Sequence, residues 1–126
     1  MKYVSTRGKA PVLNFEEAML TGLARDGGLY VPQSIPNFSP SDISSMSDLS
    51  YEEIAFKVIS PFVGDCFSDD ELIKIINKAY TQFGHIERAP IVELENNHFL
   101  LELFHGPTLA FKDIAMQLIG QFFQVA

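Results

Sequence analysis

One capped, amphipathic segment, residues 68–84, constrains the fold of this chain more than any other part of the sequence. Ser68 is followed three residues later by Glu71, which is the spacing of a capping box at the start of a helix. Apolar side chains then recur at helical spacing: Leu72, Ile73, Ile76, Ala79, Tyr80 and Phe83. Gly84 is expected to end this helix. Because such a stripe must be covered by other elements, we predict that it belongs to the core.

A second capping box lies near the N-terminus. Asn14 with Glu17 predicts a helix over residues 15–24. The sequence DGG at residues 26–28 should stop this helix and turn the chain, since glycine tolerates positive φ. It resembles a phosphate loop only superficially, because it follows a helix instead of preceding one. A brief strand is predicted at residues 29–31.

A third capping box is formed by Ser50 with Glu53, and it predicts a helix that Pro61 ends. Residues 62–66 are expected to form a loop. Residues 39–46 are mostly polar and indicate a short helical turn.

Strand patterns occupy the two ends of the chain. Residues 2–6 suit a short edge strand, and residues 91–95 and 98–103 read as a hairpin joined by two asparagines. The apolar run at residues 99–104 predicts a largely buried strand. A helix is predicted over residues 113–124, with apolar side chains around most of its circumference.

The composition narrows the functional class. The chain has 126 residues, 47% of them hydrophobic, which suffices for the core of one domain, or of one domain and part of another. Its net charge of −7 argues against a nucleic-acid or anionic-membrane partner. No apolar run has the length of a membrane span, and the first residues do not form an apolar leader. Cys66 is the single cysteine, so we expect a reducing, cytoplasmic location. The three histidines lack metal-ligand spacing, so no metal site is expected.

The sequence HGPTLAFKD, residues 105–113, carries the candidate catalytic group. Lys112 is predicted to lie in the first turn of the last helix among apolar neighbours. Desolvation and the positive end of a helix dipole both favour the neutral form of an amine, which is the form that attacks an aldehyde. Asp113 opposes this effect, although it is also a good helix starter. The alternative is an ordinary lysine whose stem lies along apolar surface.

The sequence STRG at residues 5–8 allows two interpretations. An arginine, a glycine and two hydroxyls could contact a phosphate, or they could simply end a strand. The spacing alone favours the structural interpretation.

Three segments of the sequence resemble threonine synthases. HGPTLAFKD is similar to the segment that carries the pyridoxal-phosphate lysine in that family. YVSTRG at residues 3–8 and FEEAMLTGLARDGGLYVP at residues 15–32 are similar to its opening. The resemblance implies an α+β fold. A small N-terminal domain of helices and strands would span residues 1–88, and residues 89–126 would form the first hairpin and helix of a truncated α/β pyridoxal-phosphate domain of fold type II.

The resemblance also implies an activity, the conversion of O-phospho-L-homoserine and water into L-threonine and phosphate. Lys112 would hold pyridoxal phosphate and move protons, Phe111 and Thr108 would line the pocket, and Asp113 would orient the lysine turn. Families of this kind carry a glycine-rich phosphate loop downstream of the lysine, and none follows Lys112 here. The sequence therefore reads as the N-terminal portion of a threonine synthase, which we expect to be inactive alone.

Two other interpretations stay open. The chain could be a non-catalytic interaction module that docks through its apolar C-terminal helix. It could also belong to another pyridoxal-phosphate lyase of fold type II, such as a threonine dehydratase or a cysteine synthase. Independently of these, exposed apolar side chains on residues 113–124 and 99–104 would make the isolated chain self-associate, most simply as a symmetric dimer.

Overall fold

The computed structural model describes residues 1–126, and its architecture is α+β, as predicted. Five α-helices and a 3₁₀ turn accompany two separate antiparallel sheets of two strands each. In chain order the elements are β1 (Tyr3–Ser5), α1 (Phe15–Thr21), β2 (Tyr30–Pro32), α2 (Pro40–Ser44), α3 (Tyr51–Val63), the 3₁₀ turn (Gly64–Cys66), α4 (Asp69–Tyr80), β3 (Ile91–Glu95), β4 (His98–Leu101) and α5 (Asp113–Val125).

Local hydrogen bonds explain where the helices begin. The three predicted capping boxes are confirmed before α1, α3 and α4, and a fourth, Ser39 with Asp42, starts α2. In each, the cap side chain accepts from a backbone N–H that has no partner inside the helix. The helix starts are therefore determined by short segments of sequence.

Three predicted helix ends are wrong, and one of them is that of α4, which ends at Tyr80 instead of Gly84. α1 ends at Thr21 instead of residue 24, because Gly22 takes a φ of 69° that a helix cannot contain. α3 does not end at Pro61 but continues to Val63, and the loop expected at residues 62–66 is the end of this helix followed by the 3₁₀ turn. Pro61 lies in the last turn of α3, where proline interrupts the helical hydrogen-bond ladder only locally. Gly64, with a φ of 59°, ends the helix.

The core lies between α3, α4 and α5, with α4 at its centre. Its buried members are Val63, Leu72, Ile75, Ile76, Ala79, Tyr80, Phe83 and Phe122. The predicted stripe on α4 is confirmed except at Ile73, which is 41% exposed, whereas the unpredicted Ile75 is only 4% exposed. Ile73 lies on the side of α4 that borders an open groove towards α3, while Ile75 lies beside Gln121 of α5.

The C-terminal hairpin has the predicted strands but not the predicted burial. β3 and β4 pair antiparallel, with Ile91 opposite Leu101, and β4 ends two residues before the predicted residue 103. Phe99 is 62% exposed and Leu101 is 52% exposed, so the expected burial of residues 99–104 is wrong in this chain. The two strands contact mainly each other, and no layer covers their faces.

Candidate active site

Residues 102–112 form an irregular connection that leads from β4 into α5, and they contain most of the HGPTLAFKD sequence. Lys112 occupies the N-cap position of α5, one residue before the first turn in which it was predicted. Its carbonyl oxygen accepts the first helical hydrogen bond, from the N–H of Met116 at 2.8 Å. The side chain of Lys112 is exposed in this chain, not desolvated as the sequence suggested.

Asp113 ties this connection to the helix. Its side chain is buried, and one carboxylate oxygen accepts the N–H of Thr108 at 2.8 Å. The other oxygen accepts the Thr108 hydroxyl at 2.9 Å and the Gln117 amide at 3.1 Å. Burial raises the pKa of Asp113, but the hydrogen bonds from Thr108 and Gln117 outweigh it and lower the pKa below its ordinary value. Asp113 is therefore a fully bonded carboxylate.

Two backbone features make this arrangement possible. A Cβ atom at Gly106 would overlap the Asp113 side chain, so only glycine permits the close approach. Leu109 adopts a φ of 61°, in the left-handed region that a branched side chain rarely occupies. Conformations of this kind cost about 1–3 kcal/mol and persist where the surrounding structure holds them in place.

Lys112 lies at an open, mostly apolar recess of about 360 Å³. Its Nζ lies 5.9 Å from the centre of the Phe111 ring, and the other walls come from Leu103, Ile114, Ala115 and Met116. A primary amine beside apolar walls fits an aromatic aldehyde cofactor, whose flat ring such walls can cover. The structure thus brings Lys112 and Phe111 together at the recess, whereas Thr108 and Asp113 bind each other outside it.

The end of α4 contacts both ends of the lysine-bearing segment. The Tyr80 hydroxyl donates to the carbonyl oxygen of Ile114 at 2.9 Å, and the Gly84 N–H donates to the carbonyl oxygen of His105 at 2.8 Å. From the sequence, Tyr80 was expected only as a member of the apolar stripe on this helix. Its hydroxyl could have indicated this contact, because the hydroxyl of a buried tyrosine usually has a hydrogen-bond partner.

Side chains also contact His105, the first residue of the HGPTLAFKD sequence. His105 Nε2 lies 2.6 Å from a carboxylate oxygen of Glu102. The His105 ring lies 5.1 Å from the His85 ring, centre to centre. No group of three or more His, Cys, Asp or Glu side chains is placed to hold a metal ion.

The STRG sequence contacts the DGG turn. The Ser5 hydroxyl donates to Asp26 at 2.7 Å, and the Leu29 N–H donates to the Thr6 hydroxyl at 3.1 Å. A Cβ atom at Gly28 would overlap the Ser5 hydroxyl. Both hydroxyls of the STRG sequence are thus engaged in holding β1 against the turn, which supports the structural interpretation.

Comparison with known proteins places the chain in a family. Residues 2–80 match the family model described as the threonine synthase N terminus. The chain is 52% identical over 121 residues to a threonine synthase of Pseudomonas aeruginosa, and the match covers 96% of this chain and 26% of that protein. It is 46% identical over 125 residues to a threonine synthase of Schizosaccharomyces pombe, with 98% and 24% covered.

A solved structure agrees with these matches. The crystal structure of PLP-bound threonine synthase from Brucella melitensis superposes with a TM-score of 0.97 at 50% sequence identity, covering 99% of this chain and 27% of that one. The chain therefore spans about a quarter of the length of these relatives. None of its own helices combines the length and the apolar character that crossing a membrane requires.

Proposed function

This chain belongs to the threonine synthase family, and from that premise we propose that the intact protein converts O-phospho-L-homoserine and water into L-threonine and inorganic phosphate. The observation that carries the proposal is the placement of Lys112, at the N-cap of α5 and at the edge of an apolar recess. A pyridoxal-phosphate enzyme needs an amine beside the cofactor ring to hold the cofactor.

We propose pyridoxal phosphate as that cofactor in the intact protein. The relative from Brucella melitensis is described as PLP-bound, and the recess beside Lys112 offers apolar walls for a ring. When bound, the cofactor supplies an electron sink for the carbanions that form beside the amino group of the substrate. The groups that would bind its phosphate are not among the residues of the recess.

The roles of the residues follow from their contacts. Lys112 Nζ is the one amine at the recess, so it would hold the cofactor and, when free, would accept and return protons. Phe111 covers one side of the recess and stands next to that amine. Asp113 is poorly placed to act as a base, because it does not line the recess and its two oxygens already accept three hydrogen bonds. Its role, together with Thr108, is to fix the backbone from which Lys112 projects.

We also propose that residues 1–88 form the N-terminal domain and that residues 89–126 begin the catalytic domain. Arg88 supports a boundary here, because its φ of 58° turns the chain sharply. Its guanidinium is also anchored, by two hydrogen bonds of 2.6 and 2.9 Å to Glu52. The two parts share one core, since Phe122 of α5 is buried with residues of α3 and α4.

The 126-residue chain alone is proposed to be inactive and to self-associate. Large apolar side chains are exposed on one face of α5, where Met116 is 57% exposed, Ile119 39% and Phe123 51%. The hairpin adds exposed apolar faces, and its sheet has only two strands, so both outer edges are unpaired. A second copy presents the same face and the same edges, which suits a symmetric dimer.

The second candidate function is that of an interaction module, in which a non-catalytic partner binds the same exposed face of α5. It would require that the intact protein does not turn over O-phospho-L-homoserine. The cytoplasmic location expected from the lone Cys66 remains a prediction.

The activity test uses the full-length protein that carries this chain. With pyridoxal phosphate and O-phospho-L-homoserine it should release threonine and phosphate in equal amounts. Lys112→Ala should lower kcat by a factor of about 100 or more, in line with the loss of a positioned proton-transfer group. Lys78→Ala is the matched control and should retain activity, because Lys78 Nζ contacts Gln124 at 2.8 Å, at the opposite end of α5 from Lys112. Turnover that survives in Lys112→Ala would refute the assignment.

A further inference from the structure

We propose that Tyr80 is a positioning residue for Lys112, and that the C-terminal end of α4 sets the place of the lysine-bearing segment. The proposal rests on the proposed function for the chemical role of Lys112. It goes beyond that function because it gives the N-terminal domain a specific part in the placement of the catalytic amine.

The first observation is the hydrogen bond from the Tyr80 hydroxyl to the carbonyl oxygen of Ile114, at 2.9 Å. Ile114 lies in the first turn of α5, two residues after Lys112. Tyr80 is 3% exposed, and its ring packs edge-on against Tyr51 with 4.9 Å between ring centres. Burial raises the pKa of Tyr80 far above its ordinary value, and the nearby Tyr51 adds a smaller shift in the same direction. The hydroxyl therefore keeps its proton and donates at any working pH.

The second observation is the contact at the other end of the segment. The N–H of Gly84 donates to the carbonyl oxygen of His105 at 2.8 Å. Tyr80 is the last residue of α4 and Gly84 follows it by four residues, and between them Phe83 is buried in the core. Two hydrogen bonds from one short stretch thus hold both ends of residues 105–114, the segment that contains Lys112.

The hydroxyl of Tyr80 is not needed for packing alone. Phenylalanine has the same ring and would fill the same place, but it would remove the hydrogen bond between α4 and the first turn of α5. Removing a hydrogen bond of this kind changes an equilibrium by about five-fold to ten-fold. Reactions are sensitive to such changes, because small misplacements of a reacting group lower rates strongly.

The test compares Tyr80→Phe with Tyr3→Phe in the full-length protein with pyridoxal phosphate bound. Tyr3 is the matched control, because its hydroxyl also donates to a backbone carbonyl, that of Phe62 at 3.0 Å, and contacts no residue of the recess. Tyr80→Phe should lower kcat about five-fold to ten-fold with KM nearly unchanged, and should weaken cofactor binding by a similar factor. It should also alter the visible absorption band of the bound cofactor. Tyr3→Phe should change none of these.

A separate readout uses the cofactor-free protein. The rate at which acetic anhydride labels Lys112, followed by mass spectrometry, reports the surroundings of the amine directly. This rate should differ between Tyr80→Phe and the unsubstituted protein and should be unchanged in Tyr3→Phe. Equal labelling rates in all three proteins, or equal kinetic losses in both variants, would overturn the proposal. If the cofactor instead binds another lysine, the proposed function fails, and the labelling rates still decide whether Tyr80 positions Lys112.

Discussion

Thr108 holds the carboxylate of Asp113 with two hydrogen bonds, one from its backbone N–H at 2.8 Å and one from its hydroxyl at 2.9 Å. The two residues are five positions apart, and Lys112 lies between them in the sequence, next to Asp113. The backbone of the candidate catalytic lysine is therefore fixed by a pair of side chains that lie outside the recess. These contacts act together with those that Tyr80 and Gly84 make to the two ends of the segment.

Asp113→Asn should destabilise the chain at neutral pH and have little effect in acid. An amide in place of one carboxylate oxygen would present N–H groups to the Thr108 or Gln117 donors. Because the folded-state pKa of Asp113 is lowered, its stabilisation is present above the unfolded value of about 3.9 and is lost as the pH falls through the lower folded value. Thermal melts of the two proteins should therefore differ at neutral pH, begin to approach each other below about pH 4, and converge only at the lower pH where the folded-state carboxylate is protonated.

Asp48→Asn is the control for that experiment. Asp48 is exposed, so its substitution should leave the melting temperature nearly unchanged across the same pH range. A difference between Asp113→Asn and the unsubstituted chain that persists unchanged in acid would contradict the carboxylate contacts described here.

Gly106→Ala and Gly120→Ala should act in opposite directions. A methyl group at Gly106 would overlap the Asp113 side chain, so we expect a loss of about 1–3 kcal/mol in the free energy of unfolding. Gly120 lies inside α5 with nothing within 4 Å of an added Cβ, so alanine there should add about 0.5–1 kcal/mol. Urea denaturation measures both values. Equal effects at the two positions would refute the close approach at Gly106.

Adjacent phenylalanines test whether α5 belongs to the core. Phe122 is 3% exposed, and its ring centre lies 5.1 Å from that of Phe15. Phe122→Ala should lower the free energy of unfolding by about 3–5 kcal/mol. Phe123 is 51% exposed, and Phe123→Ala should change the same quantity by about 0.5 kcal/mol. Similar losses from both substitutions would mean that α5 is packed differently.

Self-association is tested best by point substitutions, because removing α5 would also remove Phe122 from the core. Sedimentation velocity of the unsubstituted chain should report a dimer. The double variant Ile119→Lys with Phe123→Lys should be a folded monomer, since it puts two charges on the exposed face of α5. Leu20→Lys, at a 56% exposed position on α1, should leave the dimer intact. A monodisperse monomer of the unsubstituted chain at high concentration would contradict the proposal.

The sequence predicted the parts of the fold that short segments determine. The capping boxes before α1, α3 and α4 were recognised because each depends on two residues three positions apart. The hairpin was recognised from two strands and the turn between them. The resemblance carried by residues 105–113 led to Lys112, which the structure places at the start of a helix, one residue from the expected position.

What the sequence did not predict depends on contacts between distant residues. The hydrogen bond from Tyr80 to Ile114 joins residues 34 positions apart. No sequence pattern in either segment predicts contact with the other. Burial of residues 99–104 was predicted from their apolar side chains. Apolar side chains do not show whether another helix or sheet is present to cover them. The continuation of α3 past Pro61 reflects a helix that is already supported by packing on α4, where one missing hydrogen bond is tolerated.

Borohydride reduction of the full-length protein with pyridoxal phosphate, followed by peptide mapping, tests whether Lys112 is the residue that holds the cofactor. Reduction makes the bond between cofactor and lysine permanent, so the modified residue can be identified by mass spectrometry. The account predicts a single pyridoxyl adduct on Lys112, in the peptide that contains HGPTLAFKD. An adduct on Lys57, Lys74 or Lys78, with Lys112 unmodified, would contradict it.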